Sequence, residues 1–515
     1  MPEVDRLPDT IRKEPKGPRM TKWDIERSVT HNGAGYFEKT LITENGFREY
    51  DFRWQIGDEI NANGFYVLGK AYGTYARQVL GEDKVVVGHD FRSYSQELSR
   101  SFALGVVSSG VDVVDIGLAM TPIVYFAQYH LSATAAAMVT ASHNENGWTG
   151  LKLANGYSST MGPAEVEDFK KLVYSQNYLD GAGTYLTEEG VFDAYLADLT
   201  QRGTVIKGLK VVVGAGNGTA GHFGPPILKA LGCEVFETHC ALDWNFPNYN
   251  PNPENVAFLQ SLSEEVKRRG ADLGVGFDGD GDRIGVVDNE GEIVFSDKLG
   301  LLLARHLSAK VADASFVIDV KSTGLFLEDE ILRNNGASVV LWKTGHSYIK
   351  KKVAETGAVA GFEKSGHWFF SKPFGKGYDD AMMSSVQLMK FLDESGRPLS
   401  ELVASLPATW LSPTVGAHCA DGEKYDVVDQ AIAAFTREKE TGGEVAGRQI
   451  KEINTINGIR FTLEDGSFGL IRASSNKPSL VLVAESRQSH EDMTAILARL
   501  KACVEATGKT GEYDQ

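Results

Sequence analysis

Three aspartates at alternate positions, Asp278-Gly-Asp280-Gly-Asp282, are followed by Arg283 and end the apolar run Asp272-LGVGF. The intervening glycines let the backbone curl so that the carboxylates face one centre. Carboxylates held that close repel one another and call for a cation, and an all-oxygen donor set suits Mg2+ or Ca2+. The EF-hand pattern does not fit. Its loop needs glycine at the sixth position, where Arg283 stands, and glutamate at the twelfth, where Asn289 stands. The bland reading is a polar turn with solvated aspartates.

A second candidate, Thr140-Ala-Ser142-His143-Asn144, ends the run AAAMV. A serine leaving a buried strand is placed for nucleophilic work, but the surroundings are not G-x-S-x-G and a bare hydroxyl is a weak nucleophile. The residues alone leave Ser142 between nucleophile and turn serine. A third, Arg472-Ala-Ser474-Ser475-Asn476-Lys477-Pro478, gathers a guanidinium, hydroxyls, an amide and turn N–H groups that suit a phosphate; polar turns of this kind are also common. A fourth, Gly361-Phe-Glu363-Lys-Ser365-Gly-His367, has side chains suited to sugar hydroxyls and by itself reads as a loop. Gly216-Asn-Gly218-Thr-Ala-Gly221 matches the dinucleotide G-x-G-x-x-G, with Glu237 at a second strand downstream. Pro225 and Pro226 follow where the dinucleotide helix should already run, and proline there costs ~3 kcal/mol. A structural glycine turn is the better reading.

These loops need elements to position them. Apolar β-branched runs (Lys84-VVV-Gly88, Val111-DVVDIG, Lys210-VVV-Gly214, Asp272-LGVGF, Phe316-VIDV, Ser338-VVLW) alternate with amphipathic helical segments such as Asn255 to Arg269. Short continuous apolar strands between helices indicate parallel sheets covered on both faces. KVVVGHD at 84–90 and KVVVGAG at 210–216 echo each other and suggest repeated α/β units. The last hundred residues differ: a helix from Tyr425 to Lys439, strands INGIRFTLED, SFGLIRASS and LVLVAES, then a helix from His490 to Ala506 predict an α+β unit with antiparallel pairing. Joints are expected near 200–209, 307–314 and 406–414.

The chain of 515 residues is long enough for three or four domains. Hydrophobic residues at 42% and charged residues at 23% exclude a disordered or collagenous chain. The net charge of −17 argues against nucleic acid as partner and requires placed arginines and lysines for any anionic substrate. Cys233, Cys240, Cys419 and Cys503 form no CxxC pair and read as reduced thiols of a cytoplasmic protein. There is no apolar run of about 18 residues to span a membrane, and the mixed-charge, proline-containing start lacks a secretory h-region. Residues 1–35 read as a flexible arm.

Taken together and in order, TASHN, DGDGDR, GFEKSGH and RASSNKP resemble the α-D-phosphohexomutase superfamily, most closely its bacterial phosphomannomutase/phosphoglucomutase branch. FREYDFR at 47–53, Gly88-HDFR, TPIVYFA at 121–127, NGWTGLK at 146–152, GNGTAG, FPNYNPNPE at 246–254, TGHSYIK at 344–350 and GYDDA at 377–381 extend the similarity over residues 47–487. The resemblance implies three related α/β domains with mainly parallel mixed sheets plus a C-terminal α+β domain around a central cleft. The expected division is 36–205 with the phosphoserine loop, 206–311 with the metal loop, 312–408 with the sugar loop and 409–515 with the phosphate loop.

It further implies interconversion of hexose 1-phosphate and hexose 6-phosphate, mannose first and glucose also, through a phosphoserine at Ser142 and a hexose 1,6-bisphosphate that also serves as activator. Mg2+ would join Ser142 with Asp278, Asp280 and Asp282. Arg53 and Lys152 would lie beside the phosphoserine, and His346 would assist proton transfer. Arg283, Lys321, Glu363, Ser365, His367, Arg472, Ser474, Ser475 and Asn476 would bind the sugar phosphate. The partner would be a small sugar phosphate, with no nucleic acid or membrane, on a monomer or homodimer. Trp54, Phe362, Lys364 and Ser475-Asn476-Lys477 depart from the family pattern, which bears on substrate preference. The alternatives are a phosphoglucosamine mutase of the same superfamily and a metal-dependent sugar phosphatase; a non-catalytic sensor and a dinucleotide enzyme fit less well.

Overall fold

The computed structural model describes residues 40–203 and 208–514; the arm expected at 1–35 lies outside them. Among the described residues there are four sheets. In the first, Lys84–His89 lies between Asp112–Leu118 and Ala135–Val139, parallel to both. Ala135–Val139 then pairs antiparallel with Trp148–Gly156, which pairs antiparallel with Phe52–Gln55. The second sheet repeats the plan. Lys210–Gly214 lies parallel between Glu234–Thr238 and Leu273–Phe277, and Leu273–Phe277 turns back into antiparallel Ile284–Val287. In the third, Ser315–Asp319 lies parallel between Ser338–Trp342 and Ala360–Phe362, which turns back into Trp368–Phe370.

The VVV runs of the first two central strands are buried on both faces, which is why they read as continuous rather than alternating apolar segments. The repeat also fixes where chemistry sits. Residues 140–147, 278–283 and 363–367 all occupy the same connection: the turn that leaves the strand beside the central one and enters its antiparallel partner. Three copies of one plan thus deliver three loops from equivalent C-terminal strand ends, where open α/β sheets place ligands.

The fourth sheet is antiparallel, with helices Lys424–Glu440 and His490–Glu505 packed on it. Its strands Phe468–Ala473 and Ser479–Ser486 form a hairpin whose turn carries the fourth candidate loop. Within the joint expected at 406–414, Trp410–Leu411 already pairs with this sheet. Helix Ser296–Ser308, placed by the sequence in the second unit (206–311), packs Gly300 against Phe362 of the third sheet.

The cores explain what is rigid. One apolar cluster runs through the first three units, from Tyr195 through Phe223 and Phe277 to Leu301 and Trp368. The fourth unit has its own core around Phe435, Phe461 and Leu500. It meets the third through a small cluster of Val320, Leu411, Phe468, Leu470 and Val483.

One helix carries two interior prolines. Ala220–Ala230 is helical straight through Pro225 and Pro226. The helix buries Phe223, Ile227 and Leu228; at ~1.5–3 kcal/mol for each side chain, three of them offset the ~6 kcal/mol that two interior prolines cost. The glycine turn before it packs tightly: Thr219 N–H donates to the Gly279 carbonyl at 2.9 Å, joining this turn to the acidic loop.

Candidate active site

Ser142 leaves strand Ala135–Val139 with φ of 53°, a left-handed conformation that serine rarely adopts. Such strain persists only where the surroundings fix it. Here the Thr140 hydroxyl accepts from Ser142 N–H at 2.9 Å, and Arg92 donates to the carbonyls of Ser142 at 3.0 Å and Asn144 at 2.6 Å. Arg92 is itself buried and paired with Asp90. The acidic loop then approaches from the second unit. A Cβ on Gly279 would lie 2.3 Å from the Ser142 carbonyl oxygen, so only glycine permits the contact. Ser142 Oγ donates to Asp278 Oδ2 at 3.2 Å.

Asp278, Asp280 and Asp282 are fully buried, with an oxygen of each inside a 4.8 Å cluster. Two basic side chains offset part of their charge. Lys152 lies 2.9 Å from Asp280 Oδ2 and touches Asp282 Oδ2; Arg283 Nε donates to Asp278 Oδ2 at 2.9 Å. Burial and the Asp282 charge push the Asp278 carboxyl up to about 7. Burial also opposes ionisation of Asp280, but Lys152 and the Thr121 hydroxyl, 2.7 Å away, overcome it and hold that group well below the usual range. Asp280 Oδ1 and Asp282 Oδ1 are buried without a hydrogen-bond partner. Three converging hard donors with two unpartnered oxygens fit a divalent cation such as Mg2+. His143 Nδ1 contacts Arg283 Nη2, which can only donate. The ring therefore accepts there, and burial together with Arg283 pushes its basicity down.

Arg53 extends from strand Phe52–Gln55 and bonds the Asp51 carboxylate at 3.0 Å and the Phe52 carbonyl at 2.8 Å. The other oxygen of Asp51 holds His346 Nε2 at 3.1 Å across the cleft. Burial and Lys350 push His346 down, and its Nδ1 makes no hydrogen bond, with Asp379 Oδ2 3.9 Å away. In the third loop, Glu363 accepts from Gly345 N–H at 2.6 Å and from the Ser365 hydroxyl at 3.2 Å. His367 Nδ1 lies 3.1 Å from Asp379 Oδ2. Lys321 is 3.7 Å from Glu254 of the second unit.

The fourth loop closes the far side. A cavity of about 730 Å3 lies between the second, third and fourth units, lined by Glu254, Phe295, Lys364, Thr414, Ser474 and Lys477 among others. Arg472 is buried; it donates to the Ala473 carbonyl at 2.7 Å and its Nε has no partner. Ser475 lines a separate cavity of about 320 Å3 with Arg48, Lys170 and Lys424, and Asn476 is exposed at the tip of the turn. Ser142, Lys152, the three aspartates and Arg283 are thus in direct contact. His346 and Arg53 are joined through Asp51, and Lys364 of the third loop lines one cavity with Ser474 and Lys477 of the fourth.

Of the departing residues, Trp54 and Phe362 point away from this centre. Trp54 stacks on Phe52 in the core with its indole N–H on the Thr43 carbonyl, while Phe362 packs among Phe316, Phe326, Trp368 and Phe370. Sequence reasoning gave no role to Asp51, Arg92, Thr121 or Asp379. Each lies inside a matched motif, but its purpose depends on partners from distant segments.

Family models for the phosphoglucomutase/phosphomannomutase α/β/α domains I, II and III match residues 44–176, 193–291 and 295–410, and the model of the C-terminal domain matches 417–502. The phosphomannomutase/phosphoglucomutase of Pseudomonas aeruginosa is 33% identical over 86% of this chain and 92% of its own length. A phosphoglucomutase of Neisseria gonorrhoeae is 32% identical over 90% of this chain and 98% of its own. A crystal structure of a phosphoglucomutase/phosphomannomutase family protein from Burkholderia thailandensis superposes with a TM-score of 0.80 at 30% identity, covering 92% of this chain and all of that one. Fold and site define a four-domain phosphohexomutase, an isomerase acting on hexose phosphates. The chain belongs to the phosphoglucomutase/phosphomannomutase family.

Proposed function

We propose that Ser142 carries the phosphate that this mutase transfers. The observation that carries the reading is the Ser142 Oγ–Asp278 contact at 3.2 Å, which brings loops of two units to one point. In the forward half-reaction the phosphoserine P–O bond breaks and a bond forms from phosphorus to a hydroxyl oxygen of a hexose 1- or 6-phosphate. The hydroxyl proton passes to a base, and His346, whose Nδ1 makes no hydrogen bond, is suited to take it, while the departing Ser142 Oγ takes up a proton in its place. The resulting hexose 1,6-bisphosphate turns over and returns its other phosphate to Ser142, so the same bisphosphate serves as activator. Asp278, Asp280 and Asp282 would hold Mg2+, which supplies positive charge opposite the phosphate oxygens. Lys152 and Arg53 add fixed charge beside the serine, and the remaining work is positioning.

Glu363 and Ser365 read sugar hydroxyls, helped by His367. Arg472, Ser474, Ser475 and Asn476 hold the phosphate that is not reacting, and Lys321 and Arg283 complete the substrate site. Mannose and glucose phosphates are the substrates, and the relatives named for both sugars support that breadth. The enzyme works in the cytoplasm as a monomer or homodimer. Its four buried free cysteines fit a reducing compartment, and no described helix is long and apolar enough to cross a membrane.

The test is Ser142→Ala assayed against a panel of hexose 1-phosphates for the 6-phosphate product, with intact-mass measurement of the wild type. One phosphate equivalent on a fraction of wild-type molecules and loss of nearly all turnover in the variant are expected. Undiminished turnover in the variant removes Ser142 from the mechanism, and steady release of inorganic phosphate without a bisphosphate primer identifies a phosphatase.

A further inference from the structure

The connection from strand Glu234–Thr238 to helix Val256–Arg269, residues 239–255, contains no helix or strand, and structureless loops of that length inside a compact domain are usually functional. Its shape is set by the glycine turn at 216–221, and Asn217 is the hub. The Asn217 N–H donates to the His239 carbonyl at 2.7 Å, and its carbonyl accepts from Asp243 N–H at 3.1 Å. Its side chain donates to the Ala241 carbonyl at 2.7 Å and accepts from Asn248 at 2.8 Å. Pro251 passes so close that a Cβ on Gly216 would lie 2.9 Å from it.

Held in this way, the loop reaches the Ser142 turn of the first unit at three points. Asn245 accepts from the Asn146 amide at 3.3 Å, and Asn250 Nδ2 donates to the His143 carbonyl at 2.5 Å. The Phe246 ring covers the Arg92 guanidinium, 5.4 Å from its centroid, and meets Phe91 edge-on at 6.1 Å. Arg92 in turn donates to the carbonyls of Ser142 and Asn144. The three successive carbonyls of Ser142, His143 and Asn144 are therefore each taken by a side chain, the middle one by a donor from the second unit.

The backbone shows what these contacts hold. Besides the 53° at Ser142, φ is 67° at Asn217, 48° at His239 and 47° at Phe246, and for a bulky ring such as Phe246 that is an outlier. Conformations of this kind persist only where neighbours over-determine them, and they gather at functional sites. Two strained residues, Ser142 and Phe246, thus stand on either side of Arg92. We propose that Asn217, Phe246 and Asn250 are positioning residues for phosphoryl transfer: they make loop 239–255 an external brace that fixes the Ser142 turn and so aims Oγ at the acidic loop. This rests on Ser142 being the phosphate carrier. The brace acts on the phosphate carrier and not on the sugar, so its loss lowers kcat and kcat/KM together and leaves KM in place. Misplacing a reacting atom by about 1 Å costs on the order of a hundredfold in rate.

The experiment compares full-chain Asn250→Asp, Phe246→Leu and Phe246→Tyr with the wild type by steady-state kinetics, intact mass and 31P NMR of the phosphoserine at fixed Mg2+. An aspartate keeps the shape of Asn250 but, ionised, cannot donate to a carbonyl. Asn250→Asp and Phe246→Leu are expected to lose about ten- to a hundredfold in kcat, with KM unchanged and a shifted or broadened 31P resonance. Phe246→Tyr, which keeps the ring, should restore both the rate and the resonance. Should Asn250→Asp fail to fold, Asn250→Ala removes the same donor without adding a charge. Wild-type kcat without the donor and without the ring would overturn the brace. So would a loss confined to KM, or slow variants whose 31P resonance has not moved. A wild-type chain that carries no phosphate on Ser142 would overturn the phosphoserine reading and the brace with it, whereas a phosphorylated wild type with fully active variants would overturn the brace alone.

Discussion

Lys152 is the residue on which the acidic loop depends. It is buried, and it sits between Asp280 and Asp282. Breaking a buried pair by removing one partner costs about 3–5 kcal/mol, because the charge left behind has no compensation. Lys152→Met should therefore lower the midpoint of denaturant unfolding, and Mg2+ should restore stability to the variant more than it stabilises the wild type. Equal Mg2+ effects on both proteins would show that the triad does not hold the ion. In the fourth loop, the proposed phosphate ligand Arg472 carries a planar fork that lysine cannot reproduce. Losing a charged hydrogen bond of roughly 1.5–3 kcal/mol corresponds to about ten- to a hundredfold in kcat/KM. Arg472→Lys should show that loss in steady-state kinetics, mainly as a higher KM, with its Mg2+ dependence unchanged.

Among elements, helix Ser296–Ser308 and strand Ala360–Phe362 are matched in shape. A Cβ on Gly300 would lie 2.9 Å from the Phe362 ring, which four other aromatic rings hold in place. Two effects compete in Gly300→Ala: helix propensity favours alanine by about 1 kcal/mol, and overpacking a rigid core costs about 1–3 kcal/mol. Overpacking should win, so the variant should melt below the wild type. A variant that melts higher would mean that the ring can shift. Elements were the most legible level of the sequence. The VVV strands, Asn255 to Arg269 and both C-terminal helices are local periodic signals, and DGDGDR and TASHN each lie within one turn. The unread part was relational. Asp51 meets His346 across 295 residues of chain and Lys152 meets Asp282 across 130, and no local pattern encodes such pairs. In helix Ala220–Ala230 the prolines are tolerated through tertiary burial, which no local pattern shows either.

At the scale of the molecule, the last unit is attached unevenly. Toward the third unit, Arg460 is buried, donates to the Val320 and Ser322 carbonyls at 2.6 and 2.8 Å, and stacks on Phe468 at 3.6 Å. Toward the first unit, Arg48 and Asp421 form a partly exposed ion pair at 2.9 Å, of a kind worth only about 0–1 kcal/mol and weakened by salt. Opening should therefore part the fourth unit from the first while it pivots on the third. Arg48→Ala, or high salt, should increase the radius of gyration in small-angle scattering, and a bound sugar phosphate should reverse the change. A radius indifferent to all three would make the last unit a fixed wall.

The separation of Lys152 from the acidic loop also has a consequence during synthesis. At about 5–20 residues per second, the ribosome needs roughly 7–26 s to make the 130 residues between Lys152 and Asp282. For that interval the first unit waits with its basic cleft wall uncovered. A polar wall can remain hydrated in the meantime, whereas an apolar one would invite aggregation. The polar wall around Lys152 can thus wait in water for the acidic loop, whereas the apolar face around Tyr195 has to await Phe223 of the second unit.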